Sequence, residues 1–124
     1  MIEGGRHILR NEFVPPGTIT VSPAALNYAR DFIATVTAAH GGDYIVAFDW
    51  SQAITVRSTP VAKPEPRHDC VMLGAAQRAD VPPEAIHTID GVEFVVELPA
   101  EILRASAQRL IDLDNSAFFK FVLR

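Results

Sequence analysis

The sequence predicts a single α+β domain. Mixed or antiparallel strands pack against one long N-terminal helix, and a short helix follows near residues 100–106. Three observations predict it. Leu26, Ala29, Ile33 and Val36 recur at spacings of three and four, with Phe32 beside them, which makes one apolar helical face. Asp43 to Trp50, Val92 to Leu98 and Phe118 to Val122 are rich in β-branched and aromatic residues, as strands are. The 124 residues, 48% of them hydrophobic, suffice for one buried core and argue against general disorder.

Residues 1–17 hold Gly4-Gly5 and Pro15-Pro16-Gly17 and read as a flexible arm before the domain, 18–124. Met1 to His7 stand outside the fold argument, while Ile8-Leu9 and Phe13-Val14 can dock locally. Thr18 to Val21 is a short strand. Ser22 can accept from the first-turn amides and Pro23 suits the first helical position, so a helix starts there and runs to Ala39. Gly41-Gly42 ends it with residues tolerant of positive φ. Asp43 to Trp50 and Ala53 to Arg57 are strands around Ser51-Gln52. Pro60, Pro64 and Pro66 exclude a central strand, so Ser58 to Asp69 is an exposed loop. Cys70 to Ala75 is the next strand, and Arg78 to Glu84 is a connection containing Pro82-Pro83.

Asp90-Gly91 is a tight-turn dipeptide between strand-like residues. Pro99 stops the strand that follows and opens the short helix. Asn115-Ser116 is a further turn before the last strand. Alternation places Phe94 and Val96, and likewise Phe119 and Phe121, on core-facing parities with Ile33 of the helix opposite. Tyr44, Val46, Phe48 and Trp50 also share a face, which is either core or a partner surface.

The formal net charge of −4 gives no electrostatic footprint for nucleic acid or an anionic membrane. No apolar run approaches the ~20 residues of a spanning helix, and the N-terminus lacks the apolar core of a signal peptide. Cys70 is the only cysteine, so an internal disulfide is impossible and a reducing, cytoplasmic location is expected.

Three segments carry a family resemblance. They are Ile19-Thr20-Val21-Ser22-Pro23-Ala24-Ala25 before the helix; Val81-Pro82-Pro83-Glu84-Ala85-Ile86 before Ile89-Asp90-Gly91-Val92-Glu93-Phe94-Val95-Val96; and Leu110-Ile111-Asp112-Leu113-Asp114 with Phe118-Phe119-Lys120-Phe121. In that order they resemble the A-type iron–sulfur cluster carriers and their HesB-like fold. The resemblance implies a HesB-like α+β domain over residues 18 to 122 and a place in iron–sulfur assembly. That family holds its cargo with one cysteine in a Gly-Cys-Ser-Gly turn and two in a C-terminal Cys-Gly-Cys. Neither motif occurs here, and Cys70 falls several residues beyond the position of the first. The expectation is therefore a degenerate, non-catalytic relative: a binding or regulatory module for a protein partner, carrying no cluster.

His68-Asp69-Cys70 is the most suggestive triplet. In one alternative, Cys70 and His68 from both chains of a homodimer hold iron or a cluster, with Asp69 as a further metal ligand. In another, a small enzyme uses Cys70 with His68 as base, although no nucleophile elbow or Gly-rich oxyanion loop accompanies them. The plainer reading makes Cys70 a small apolar residue that opens a strand. His40 suits the helix C-terminus, where the dipole favours a cation, and His87 reads as a solvent-facing strand residue. Asp112 with Asp114, and Glu93 with Glu97, share strand faces as paired carboxylates or as solvated polar faces. No His-x-x-x-His or Cys-x-x-Cys pair, phosphate loop or dinucleotide fingerprint is present.

Overall fold

Ser22 is the N-cap of the one long helix. Its backbone is extended (φ −66°, ψ 156°), and its Oγ accepts from the Ala25 N–H at 3.2 Å. Helix α1 (Pro23–His40) then presents Ala25, Leu26 and Ala29 to the core, with Ile33 packing at its margin. It stops at Gly41, whose φ of 69° lies in the left-handed region and whose N–H closes on the Thr37 carbonyl at 2.8 Å. The computed structural model describes residues 11–51, 70–105, 109–115 and 120–124.

Among these, eight strands form one sheet. They are β1 (Asn11–Phe13), β2 (Thr20–Val21), β3 (Tyr44–Ser51), β4 (Cys70–Gln77), β5 (His87–Ile89), β6 (Val92–Pro99), β7 (Leu110–Leu113) and β8 (Phe121–Leu123). A short helix, α2 (Ala100–Ala105), follows β6, and 3-10 turns lie at Arg78–Asp80 and Pro83–Ala85. The strand order is β1-β6-β3-β4-β8-β7-β2. β3 and β4 pair antiparallel from Tyr44–Gln77 to Ser51–Cys70, while β3 runs parallel to β6 and β2 parallel to β7. β6 meets β3 on one edge. On its other edge β5 pairs with its first half and β1 with its second.

Two cores follow from the alternation of side chains across the sheet. On the helix side, Val46, Phe48, Trp50, Val71, Phe94, Val96, Leu98, Ile111 and Phe121 are buried with the α1 residues. Phe48 makes edge-to-face contacts with Phe94 and Phe121, at ring distances of 5.7 and 5.6 Å. On the opposite side, Ile45, Ala47 and Val95 are covered by Val81 and Ala85 from the 3-10 segment. Tyr44, Val46, Phe48 and Trp50 are thus mainly core rather than a partner surface. Phe119 lies outside the described residues, as do the strand expected at Ala53–Arg57 and the loop expected at Ser58–Asp69.

The expected fold class, an α+β HesB-like layer of strands on a long helix, is overturned. Strand is the dominant structure, and the sheet curls into a half-barrel with one 18-residue helix packed on it. The reason is pairing that local sequence does not display. Asn11–Phe13, read as part of the arm, satisfies the second half of the β6 edge, and Val14 continues it with its N–H on the Val96 carbonyl at 2.8 Å. His87–Ile89 takes the first half. The parallel pairings then join distant segments into one curved sheet, which element order alone did not display.

Candidate functional site

The curl leaves the two ends of the sheet facing each other across a cleft. One wall is Pro16 to Thr20, the segment that enters β2, and the other is β5, His87 to Ile89; Arg109, just before β7, completes the lining. The volume is about 480 Å³, within the range of small-molecule sites. Pro15 and Thr18 form the turn that carries the chain across this seam, the Thr18 N–H reaching the Pro15 carbonyl at 3.3 Å.

His87 fixes one wall. It is only 3% exposed, its ring stacks on Phe94 at 4.8 Å, and its Nε2 lies 2.8 Å from the Val14 carbonyl. A carbonyl only accepts, so Nε2 carries the proton and donates. That bond joins the end of β1 to β5. Burial pushes the imidazole below its ordinary value, so the ring is neutral at physiological pH. Arg109 fixes the other wall. Its N–H donates to the Arg124 carbonyl at 2.8 Å, its carbonyl accepts from Thr20 at 2.9 Å, and its Nη2 donates to the Leu103 carbonyl at 3.0 Å. Thr18, Thr20 and Thr88 add three hydroxyls, and Ile19 and Ile89 add apolar surface.

Carboxylates gather elsewhere, on the sheet face away from α1. At the start of β6, Glu93 receives Nη1 and Nη2 of Arg78, the former at 3.0 Å, and Arg78 Nε reaches Asp43 at 2.8 Å. The guanidinium holds Glu93 below the usual carboxylate range. Four residues on, Glu97 stands beside Asp49, its parallel partner on β3, and the two carboxyls hydrogen-bond each other. Burial raises both, Asp49 repulsion raises Glu97 further, and Asp49 Oδ1 is buried without a hydrogen-bond partner. At the far side of the sheet Asp112 lies low, chiefly through a hydrogen bond from Ser22. The Leu113 N–H at 2.9 Å and Arg124 at 3.1 Å assist. Arg124 also reaches Asp114 at 3.1 Å.

Of the residues singled out in sequence, His68 and Asp69 lie outside the described residues. The Cys70 backbone opens β4, between Ser51 of β3 and Val122 of β8. Among the described residues no three His, Cys, Asp or Glu side chains gather as a metal site. His40 is exposed at the end of α1. His87 corrects the solvent-facing expectation: it shares parity with half-buried Ile89, while Thr88 between them is exposed, and that alternation was the available signal. Asp49 had a comparable signal, lying between Phe48 and Trp50 and hence on the face opposite the aromatic core. Arg109 had none, because only the pairing of β2 with β7 brings it to the cleft.

No protein-family model matches the chain, and neither the curated proteins nor the solved structures contain a match to it. Among the described residues, no helix is long and apolar enough to cross a membrane.

Proposed function

We propose that this chain is a non-catalytic binding module that takes a small molecule into the cleft between Pro16–Thr20 and β5. The observation that carries this reading is the convergence of Arg109, His87 and three threonine hydroxyls on one concavity at the seam of the curled sheet. The same lining argues against catalysis. Among the described residues it holds no carboxylate, serine or cysteine, and His87 spends its Nε2 proton on the Val14 carbonyl. A regulatory role follows naturally from such a module, since an occupant would bridge the two ends of the sheet. The iron-carrier alternative rests on His68 and Asp69, outside the described residues, and no feature of the cleft favours it.

A fragment screen by ¹H–¹⁵N correlation spectra tests the reading. Binders should perturb the amides of Thr18, Thr20, Thr88 and Ile89 together. They should raise the melting temperature, since a ligand at a hundred times its Kd adds about 2.7 kcal/mol to stability. Thr88→Trp, at an exposed strand position, should block both effects. Binders that perturb only other surfaces would refute the proposal.

A further inference from the structure

We infer that the occupant of this cleft is a short peptide that lies extended between β2 and β5 and hydrogen-bonds the backbone of both; this deepens the binding-module reading and rests on it. The two walls end in strand edges that do not pair with each other. β5 meets β6 around the two-residue turn Asp90-Gly91, so Ile89 and Val92, which flank the turn, exchange backbone hydrogen bonds, as do His87 and Phe94. Thr88 and Glu93 between them form a non-bonded pair. The N–H and carbonyl of Thr88 therefore point away from β6, along the edge of β5 that lines the cleft. On the other wall Thr20 and Ser22 donate to β7, to the Arg109 and Ile111 carbonyls, each at 2.9 Å. Successive residues of a strand turn their backbone groups to opposite edges, so those of Ile19 and Val21 point away from β7. Among the described residues no strand takes up either edge.

Backbone donors and acceptors at two edges of one gap are what an added strand satisfies. The strand directions agree with this. β2 runs parallel to β7; β7 with β8, β8 with β4 and β4 with β3 are antiparallel; β3 is parallel to β6, and β6 antiparallel to β5. β2 and β5 therefore run the same way, and one inserted chain can be antiparallel to both, the stronger ladder geometry. It would close the curled sheet and leave no edge at the seam. β5 spans three residues, about 10 Å of extended chain, and the cavity of about 480 Å³ has room for a peptide of that length. Its side chains would alternate. Those turned inward meet buried Ile19 and His87, and those turned outward stand between exposed Thr20 and Thr88. The peptide chemistry that fits is alternating apolar and polar residues.

The uncharged peptide acetyl-Thr-Val-Thr-Val-Thr-amide tests the inference. Titration followed by ¹H–¹⁵N spectra should give saturable shifts at Ile19, Thr20, Thr88 and Ile89, and the Ile19 and Thr88 amides should exchange with solvent about tenfold more slowly or better when the peptide is bound. Two further peptides carry N-methyl groups on all three threonines or on both valines, which removes the donors of one peptide edge and keeps every side chain. Each should bind about tenfold more weakly or worse. Thr88→Pro removes the Thr88 N–H without touching the β5–β6 ladder, since that N–H faces the open edge, and should weaken binding of the parent peptide to the same extent. The peptide comparison on the unmodified protein stands even where this variant folds poorly. A peptide on one edge alone would turn its unmethylated edge to the protein, so undiminished binding of either methylated peptide would overturn the inference. Undiminished binding to a folded Thr88→Pro, or unchanged exchange at Ile19 and Thr88, would also overturn it. Failure of the parent peptide to give saturable shifts, while binders from the fragment screen occupy the cleft, would overturn it and leave the binding module standing. Failure of the peptide and of the fragment screen alike would overturn the binding-module reading as well.

Discussion

Glu93 and Glu97 sit four residues apart on β6, on the same face of the sheet, and each lies near an aspartate from the β3 region. Glu93 has Asp43 close by and Glu97 has Asp49. At the first site Arg78 stands between the two carboxylates and bonds both, so Glu93 is held in its charged form. At the second no arginine among the described residues intervenes, burial is greater, and the pair retains a proton to higher pH. One strand therefore carries the same side chain with its carboxyl shifted in opposite directions. What separates them is burial at Glu97 and, at Glu93, a guanidinium delivered by the 3-10 turn after β4. The lesson is that a carboxylate pair read from sequence says little until the neighbour across the strands is known.

Phe94 lies on the other face of β6, between the two glutamates, fully buried against Phe48 and His87. It anchors the strand that both sites share. Phe94→Ala should cost roughly 3–5 kcal/mol, the usual penalty for truncating a buried phenylalanine. Urea denaturation measures it. A loss below about 1 kcal/mol would mean that β6 is not the rigid frame on which the comparison depends.

The next effect concerns the pair of Asp49 and Glu97. Both carboxyls are raised in the folded state, so the folded chain binds their protons more readily than the unfolded chain does. Their contribution is fully present below the ordinary carboxylate range and is lost as pH rises through the raised folded values. Asp49→Asn removes one charge and keeps the shape. It should be more stable than the parent at pH 7 by about 0.5–1 kcal/mol, the scale of a like-charge contact between neighbouring strands, and the gain should shrink towards pH 4. Equal stability curves for the two proteins from pH 4 to 7 would show that the pair exerts no strain.

The local parts of the fold were legible because local residues cause them. Ser22-Pro23 and Gly41 set the bounds of α1, and Asp90-Gly91 takes positive φ at both residues (50° and 79°), as a type I′ hairpin turn requires. The faces of β6 followed from alternation, with Phe94 and Val96 buried on the helix side. Strand pairing was not legible. Nothing within Asn11–Phe13 announces that it will complete the β6 edge beside β5, and the curl of the sheet depends on that and on two parallel pairings between distant segments. The cleft inherits this limit. His87 carried a signal in its parity with Ile89, whereas Arg109 reaches the cleft only through the tertiary arrangement. The ordered family-like motifs described segments one by one and did not constrain how those segments pair.

The smallest effect isolates the arginine itself. Arg78→Gln keeps the backbone N–H that bonds the Asp43 carbonyl at 2.9 Å, so the 3-10 turn should hold its place. What disappears is the charge shared by Asp43 and Glu93. The Arg78, Glu93 and Asp43 side chains are 38%, 40% and 69% exposed, so water already screens their attraction. The stability loss at neutral pH should therefore be small and shrink further in high salt, as for most surface ion pairs. The sign follows from Glu93: its folded value is lowered, so the contribution is present above the ordinary carboxylate range and disappears as pH falls through the lowered value. In Arg78→Gln that acid-side loss should vanish, and the Glu93 carboxyl, followed by ¹³C chemical shift, should titrate at higher pH, towards the behaviour of Glu97. It should stop short of Glu97, because exposure spares it the burial that is the leading cause at the other site. If Glu93 still titrates below the ordinary range without Arg78, the guanidinium is not what separates the two ends of β6, and the contrast must be assigned to burial alone.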